Sequence, residues 1–537
     1  MKKKRKLLLG DEAIAQAAID AGLSGIYAYP GTPSTEIMEY VRISPVAQER
    51  NIHREWSTNE KTAMEAALGM SYTGKRAMVA MKHVGLNVAA DSFINSAITG
   101  INGGLIVVSA DDPSMHSSQN EQDSRCYSHF AFVPCFEPAS QQEAYDMVSD
   151  AFELSEKYHV PVMMRITTRL AHSRAGVDMK AEAEPQKKIK LPDDPLQFVL
   201  LPAIARKKYK TLLSSYETVR LDVRISKYNS FRDDRKRDLG IITCGIAYNY
   251  LMENINNRSL RYPVLKISAY PFSNDIIREI TDRCKEILIL EEGYPLIEDK
   301  LRGILDNGIK VYGRMDGTIP RVGELNPSIV AKALGMPPTD IREVPGVVKT
   351  RPPVFCKGCG HADTFNALIE AIKQYGPGKV FSDIGCYTLG ALPPYNAINS
   401  CVDMGASVTM AVGAADAGLF PSVAIIGDST FTHSGMTGLL DAVSKNSPVT
   451  IIISDNMTTG MTGGQDSQAT GRLQNICTGL GVDPAHIRNI VPLKKNHEEN
   501  VTVMKEELEY RGVSVIISAR ECIQTASRRK KNTIKDH

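Results

Sequence analysis

The chain has 537 residues, with 63 Lys and Arg against 61 Asp and Glu, ten Cys and one Trp. That length suits about three or four domains, and charges that nearly cancel argue against a protein that holds nucleic acid in a global basic field. Only Leu7 to Leu9 separate the basic start from Gly10-Asp11-Glu12; a secretory core needs about 7–15 apolar residues and a membrane span about 20, so a cytoplasmic protein with no membrane contact is expected.

Residues 1–178 alternate helical and strand-like stretches. Asp11 to Ala21 and Asn59 to Tyr72 are Ala-rich and predict helices, while Gly25 to Tyr29, Arg76 to Met81, Leu105 to Ala110 and Val160 to Thr167 predict buried strands. Such alternation specifies a parallel, doubly wound sheet. Residues 179–237 are charged and carry Pro185, Pro192, Pro195 and Pro202; they read as a connector with some helix. A second α/β stretch, 238–345, opens at Gly240-Ile241-Ile242-Thr243 and includes Ile287 to Glu292. Arg351-Pro352-Pro353 marks a boundary before a third, 346–525, with strands near 379–384, 422–427, 449–454 and 513–518. Residues 526–537 read as a mobile basic tail. The fold class expected is α/β, with three doubly wound parallel-sheet domains.

The sharpest local pattern lies in the third stretch. Ile425-Ile426-Gly427-Asp428-Ser429-Thr430 delivers an acid at a strand end; a helical segment follows, and the apolar run Val449 to Ile453 ends at Ser454-Asp455-Asn456. In one βαβ unit Asp428 and Asn456 reach the same sheet edge, where open α/β folds bind ligands. A carboxylate, an amide oxygen and a backbone carbonyl make a hard oxygen site of the kind Mg²⁺ shares with phosphates. Gly460, Gly463 and Gly464 then allow close backbone approach. Read alone, a Gly-Asp pair is as easily a turn.

Two further patterns carry chemistry. In Trp56-Ser57-Thr58-Asn59-Glu60, Glu60 opens an Ala-rich helix, which taken by itself suits any acid at a helix N-terminus. Cys356-Lys357-Gly358-Cys359 is a C-x₂-C pair, Cys386 follows in Asp383-Ile384-Gly385-Cys386, and Cys522 follows the last strand. The spacing fits zinc, a redox dithiol or an iron–sulfur cluster alike. The other six cysteines, Cys126, Cys135, Cys244, Cys284, Cys401 and Cys477, are scattered.

Together these motifs resemble a family. Gly427 to Gly435, the Asn456 that follows Asp428 by 28 residues, and Met461-Thr462-Gly463-Gly464-Gln465 are similar to the thiamine-diphosphate signature of the indolepyruvate:ferredoxin oxidoreductase α subunits, within the pyruvate:ferredoxin oxidoreductase superfamily. Ser429 stands where the general signature has Gly, as it does in this subfamily. Asn59 to Ala67, Tyr29-Pro30-Gly31-Thr32-Pro33, Lys82 to Asn87 with His83, and Arg169 in Thr167 to His172 also resemble family segments. The likeness covers most of the chain outside about 180–237.

The resemblance implies a fold, roles and partners. The fold is a thiamine-binding domain at each end with a transketolase C-terminal-like domain in the middle. Gly427, Asp428, Ser429, Asn456, Thr458, Gly463 and Gly464 would hold the diphosphate, with Mg²⁺ on the Asp428 and Asn456 side chains and the Thr458 carbonyl. Glu60 would face the aminopyrimidine, and Thr32 would touch substrate or cofactor. Cys356, Cys359, Cys386 and Cys522 would ligate a [4Fe–4S] cluster, although Cys359-Gly360-His361-Ala362 replaces the usual Cys-Pro-His-Arg. His83 is expected in the pocket or the core, and Arg169 in an ion pair at the core edge.

The implied activity is oxidative decarboxylation of an aryl 2-oxo acid with coenzyme A. A smaller β subunit would complete an α₂β₂ assembly built on an α homodimer, and ferredoxin would take the electrons. A ferredoxin-like module with C-x₂-C-x₂-C runs usually ends such chains. No such run is present, so electrons are expected to leave through ferredoxin or a ferredoxin-like subunit. The arginine that pyruvate enzymes place for the substrate carboxylate is also missing from Ser109-Ala110-Asp111-Asp112-Pro113. A non-oxidative thiamine decarboxylase and a non-catalytic subunit of the same fold are the alternatives.

Overall fold

The computed structural model describes residues 5–535 except 182, 186–187, 195, 225–226, 257–260, 303–307, 338–344, 350–353 and 402. The boundary at Arg351-Pro352-Pro353 lies outside the described residues. The chain forms two compact units, residues 1–344 and 345–537.

The N-terminal unit is built on a seven-stranded and a five-stranded sheet. In the larger sheet, six parallel strands run in chain order: Gly25–Ala28, His53–Trp56, Ala77–Lys82, Leu105–Asp111, Cys135–Phe136 and Val162–Thr167. Numbered along the chain, their spatial order is 2-1-3-4-6-5. Leu105–Asp111 is buried at every residue. Burial at every position, with no alternation, marks a parallel strand covered on both faces. Helices supply the cover. Gln141–Tyr158 turns Ala144, Tyr145, Val148, Ala151 and Phe152 inward, is capped by Ser140 accepting from the Glu143 amide, and ends at His159 in the left-handed region, φ 55°.

A seventh strand, Ala269–Tyr270, joins antiparallel to Cys135–Phe136. It comes from the stretch that otherwise builds the five-stranded sheet, where Leu239–Cys244 lies parallel to Val264–Ile267 and Glu286–Leu290. The two sheets therefore share covalent chain across a strand only two residues long. The connector contributes the helix Pro202–Arg224 and the short strand Ser230–Arg232, which pairs with Val264–Ile267.

A buried ion network joins these elements. Arg165, within the strand Val162–Thr167, donates to Asp111 at 2.7 Å, to Glu137, and to the Glu292 carbonyl at 2.9 Å. Arg125 reaches Asp123 at 2.5 Å and Glu291 at 3.1 Å. Tyr270 donates to Glu137 at 2.7 Å. Both guanidinium groups are wholly buried. The carboxylates outnumber them, and burial raises Glu291 and pushes Glu292 up to about 7.

In the C-terminal unit a six-stranded, all-parallel sheet comprises Val380–Ser382, Ser400–Cys401, Ser422–Gly427, Val449–Asp455, Ile487–Ile490 and Ser514–Ala519. Its spatial order is again 2-1-3-4-6-5. Side chains alternate between two cores: Ile426, Ile451 and Ile453 pack with Val408 and Leu439, whereas Ile425 and Ile452 pack with Phe365 and Met504. The expected basic tail is instead the helix Ile523–Lys535. Its Arg528 donates to the Gly463 carbonyl at 2.5 Å and Arg529 to Glu521 at 3.0 Å. These contacts give an otherwise highly charged segment partners that its sequence does not announce.

The network predicts a contrast between two arginines. Arg165→Met strands buried carboxylates and should destabilise the N-terminal unit by about 3–5 kcal/mol. Arg169→Met removes a half-exposed guanidinium paired with Glu324 and should cost about 1 kcal/mol. Chemical denaturation of both variants reads the difference, and equal losses would remove the special status of the buried network.

Candidate functional site

In both units the chain order of the parallel strands reverses between strands 1 and 3. Ligands of open α/β sheets bind outside the strand carboxyl ends at such a switch point. Most of the residues singled out from sequence lie at these two edges, each edge within its own unit.

At the C-terminal unit's edge, Asp428 follows the strand Ser422–Gly427 and Asn456 follows Val449–Asp455; Gly427 is in register with Ser454. Asp428 is 2% exposed, and its Oδ2 has no hydrogen-bond partner. Burial pushes it up to about 7 against a hydrogen bond from Ser467, and the neighbouring Asp455 charge adds to the rise. A dry carboxylate with an orphaned oxygen beside a second acid is a cation site by its chemistry.

Asn456 is held on both sides. Its Oδ1 accepts from the Thr458 amide at 3.1 Å, and its Nδ2 donates to His361 Nε2 at 3.2 Å. The other His361 nitrogen, Nδ1, faces Ser454 Oγ at 2.6 Å. Burial lowers His361 to about 4, so the ring is neutral and accepts at Nε2. The Asn456 oxygen keeps a second lone pair for a ligand.

Thr458 begins the hairpin Thr458–Thr459 with Gln465–Asp466, and Ser429 Oγ lies 3.0 Å from Thr459 Oγ1. The hairpin turns at Gly463 and Gly464, with φ 128° and 93°, angles that side chains resist. Gly427 has a different reason to lack a side chain: a Cβ there would come 2.7 Å from the Tyr387 ring.

The four chosen cysteines converge. Cys356, Cys359, Cys386 and Cys522 line one cavity of about 160 Å³ together with His361 and Asn456. The Cys522 amide donates to the Asn456 carbonyl at 3.0 Å, which ties the last thiol to the Asp428–Asn456 edge. Burial pushes Cys386 up to about 12, with the other three thiols adding to the rise.

At the N-terminal unit's edge, Asn59 caps the helix Glu60–Tyr72, its Oδ1 accepting from the Thr62 amide at 2.8 Å. Glu60 is buried, and Gly85 makes room for it: a Cβ on Gly85 would sit 2.4 Å from Glu60 Oε1. Thr32 lies in the turn after Gly25–Ala28, where its carbonyl accepts from Ser117 Oγ at 3.1 Å. His83 is buried with Nε2 3.2 Å from Asn120 Oδ1, while its Nδ1 has no partner. Arg169 donates to Glu324 at 2.8 Å, an ion pair at the unit's surface.

Sequence reasoning gave no role to Lys82, Asp112, Ser117, Asp383 or Tyr387. Burial pushes Asp383 up to about 7, and Ser407 and Tyr387 donate to it. The usable signal was position, since Lys82, Asp112 and Asp383 each end or directly follow an edge-forming strand.

Comparison with known proteins finds thiamine-enzyme families in both units. Residues 16–215 match the family described as pyruvate flavodoxin/ferredoxin oxidoreductase, thiamine diP-binding, and residues 383–517 match the thiamine pyrophosphate enzyme, C-terminal TPP-binding domain. The indolepyruvate oxidoreductase subunit IorA of Archaeoglobus fulgidus is 38% identical, covering 98% of this chain and 88% of its own. The same subunit of Methanothermobacter thermautotrophicus is 36% identical, covering 96% and 86%. A solved 2-oxoglutarate:ferredoxin oxidoreductase from Magnetococcus marinus shares the fold, with TM-score 0.50 and 17% identity over 62% of this chain and 65% of its own. No helix among the described residues is long and apolar enough to cross a membrane.

The orphaned Asp428 oxygen predicts opposite effects of one substitution. Asp428→Asn removes the buried charge, so the ligand-free chain should melt no lower than wild type. Mg²⁺ with thiamine diphosphate, at about 100 times the dissociation constant, should stabilise wild type by about 2.7 kcal/mol and leave Asp428→Asn unmoved. A full ligand shift in the variant in differential scanning fluorimetry would remove Asp428 from the cation site.

Proposed function

The chain belongs to the indolepyruvate oxidoreductase IorA family of thiamine-diphosphate-dependent 2-oxo acid oxidoreductases, and on that premise we propose that it oxidatively decarboxylates an aryl 2-oxo acid to its acyl-CoA and passes the electrons to ferredoxin. The observation that carries the redox half of this reading is the four-thiol cavity shared with Asn456. A thiamine enzyme that only decarboxylates has no use for four thiols beside its diphosphate edge.

The residues divide the work. Asp428, Asn456 and the Thr458 carbonyl hold Mg²⁺, and the Gly463–Gly464 turn brings backbone to the diphosphate. The neutral His361 fixes the Asn456 amide. Glu60, at the N-terminus of its helix, would hydrogen-bond the aminopyrimidine through its carboxyl group, against which Gly85 presents no side chain. Thiamine diphosphate, when bound, supplies the electron sink for decarboxylation. Cys356, Cys359, Cys386 and Cys522, which line one cavity, would ligate a [4Fe–4S] cluster. The protein otherwise contributes positioning and fixed electrostatics.

The relatives are named as one subunit of an oxidoreductase, which supports a smaller β partner, in an α₂β₂ assembly with two copies of this chain. Ferredoxin, or a ferredoxin-like subunit, receives the electrons.

Anaerobic purification with the β partner tests the reading. A brown protein with about four irons per chain should reduce a low-potential dye only with coenzyme A and indolepyruvate, phenylpyruvate or 4-hydroxyphenylpyruvate. A colourless protein that still releases CO₂ from these acids would make it a non-oxidative decarboxylase. Glu60→Gln should lower kcat by about 100-fold or more while cofactor still raises the melting temperature. Unchanged turnover of the assembled variant would make this chain a non-catalytic subunit.

A further inference from the structure

Lys82 closes the strand Ala77–Lys82 at the switch point of the N-terminal unit, and it is 8% exposed. Its ammonium donates to the Ser117 carbonyl at 2.7 Å and approaches Ser117 Oγ at 3.3 Å. Both oxygens are neutral. Among the described residues no carboxylate oxygen lies within 4.0 Å of the ammonium. Asp112, the acid whose field reaches it, is already taken up by other donors: the Ser117 amide at 2.8 Å, Ser118 Oγ at 2.5 Å and Thr168 Oγ1 at 2.7 Å. Burial accordingly lowers Lys82 to about 8. A buried cation without a direct counter-charge is costly, and an anionic ligand would offset that cost.

The surroundings identify which ligand. The stem of Lys82 packs on the turn that carries Thr32, since a Cβ on Gly31 would lie 3.3 Å from Lys82 Cβ. Ser117 links the two residues, because its Oγ also reaches the Thr32 carbonyl at 3.1 Å. Three residues beyond Lys82, Gly85 abuts the Glu60 carboxylate. The cation thus belongs to the same edge as the groups assigned to substrate and cofactor. The buried Arg125 and Arg165 are committed to Asp111, Asp123, Glu137 and Glu291. Arg169 is paired with Glu324. No arginine stands in Ser109 to Pro113.

We infer that the Lys82 ammonium binds the carboxylate of the incoming 2-oxo acid, beside Thr32. The inference rests on the proposed function and adds a residue that discriminates a 2-oxo acid from a neutral ketone.

The test uses the reconstituted holoenzyme, phenylpyruvate as substrate, and phenylacetone as a competitive probe that keeps the ring and ketone but lacks the carboxylate. Lys82→Met should raise KM for phenylpyruvate by about 10- to 100-fold. The Ki of phenylacetone should stay within about twofold, and the cofactor-induced rise in melting temperature should persist. Unchanged KM, or KM and Ki rising together, overturns the assignment. If Lys82→Met does not assemble, Lys82→Gln carries the same comparison. Wild-type holoenzyme inert toward all three aryl 2-oxo acids would sink the proposed function and this inference with it, whereas active wild type with indifferent Lys82 variants sinks this inference alone.

Discussion

Charge placed at the dry carboxyl edge of a parallel sheet must find a counter-charge, and this requirement organises both units. A strand buried on both faces delivers its last residue to a rim largely shielded from water. Asp111, ending Leu105–Asp111, answers the requirement internally through Arg165 at 2.7 Å. That solution is structural, and it draws Glu137, Glu292 and the five-stranded sheet into a single network. Asp428, following Ser422–Gly427, is left with an orphaned oxygen. An internal partner makes a scaffold, and a missing one makes a site.

The two sheets share one strand order yet solve the same position with opposite signs. The third strand of the C-terminal sheet runs into Asp428, an acid short of a cation. The third strand of the N-terminal sheet ends in Lys82, a cation without a direct anionic partner. On the proposed reading, a diphosphate would reach the first through a metal, whereas an organic carboxylate would meet the second directly. Repeated strand order with reversed edge charge would then let one architecture handle a cofactor's anionic tail and a substrate's anionic head.

Much of this was legible in the sequence, for identifiable reasons. Gly427-Asp428 and Asn456 could be read because a βαβ unit converts spacing along the chain into adjacency at an edge. Glu60 was legible because a helix opens on it after a capping Asn59. Largely apolar, β-branched runs such as Val449 to Ile453 announced parallel strands. What stayed hidden depends on tertiary contact. Lys82 looks like any charged residue at a strand end until Gly31 and Ser117 are packed around it. The sequence of the helix Ile523–Lys535 holds few apolar residues, and the Gly463 carbonyl that receives Arg528 lies 65 residues away. The partnering of Arg125 and Arg165 with acids from four separate segments has no local signal at all.

The two-residue strand Ala269–Tyr270 has a consequence for how such a chain can be rebuilt. It finishes the edge of a sheet whose other strands all lie before residue 168. Tyr270 then sends its hydroxyl to Glu137, inside the arginine network. Excising the stretch around 238–345, or exchanging it for a relative's, would expose the backbone of Cys135–Phe136 and leave Glu137 short of a donor. Gene fusion, domain shuffling and truncation should therefore treat the first 344 residues as one inheritance unit, whatever the count of sheets within it.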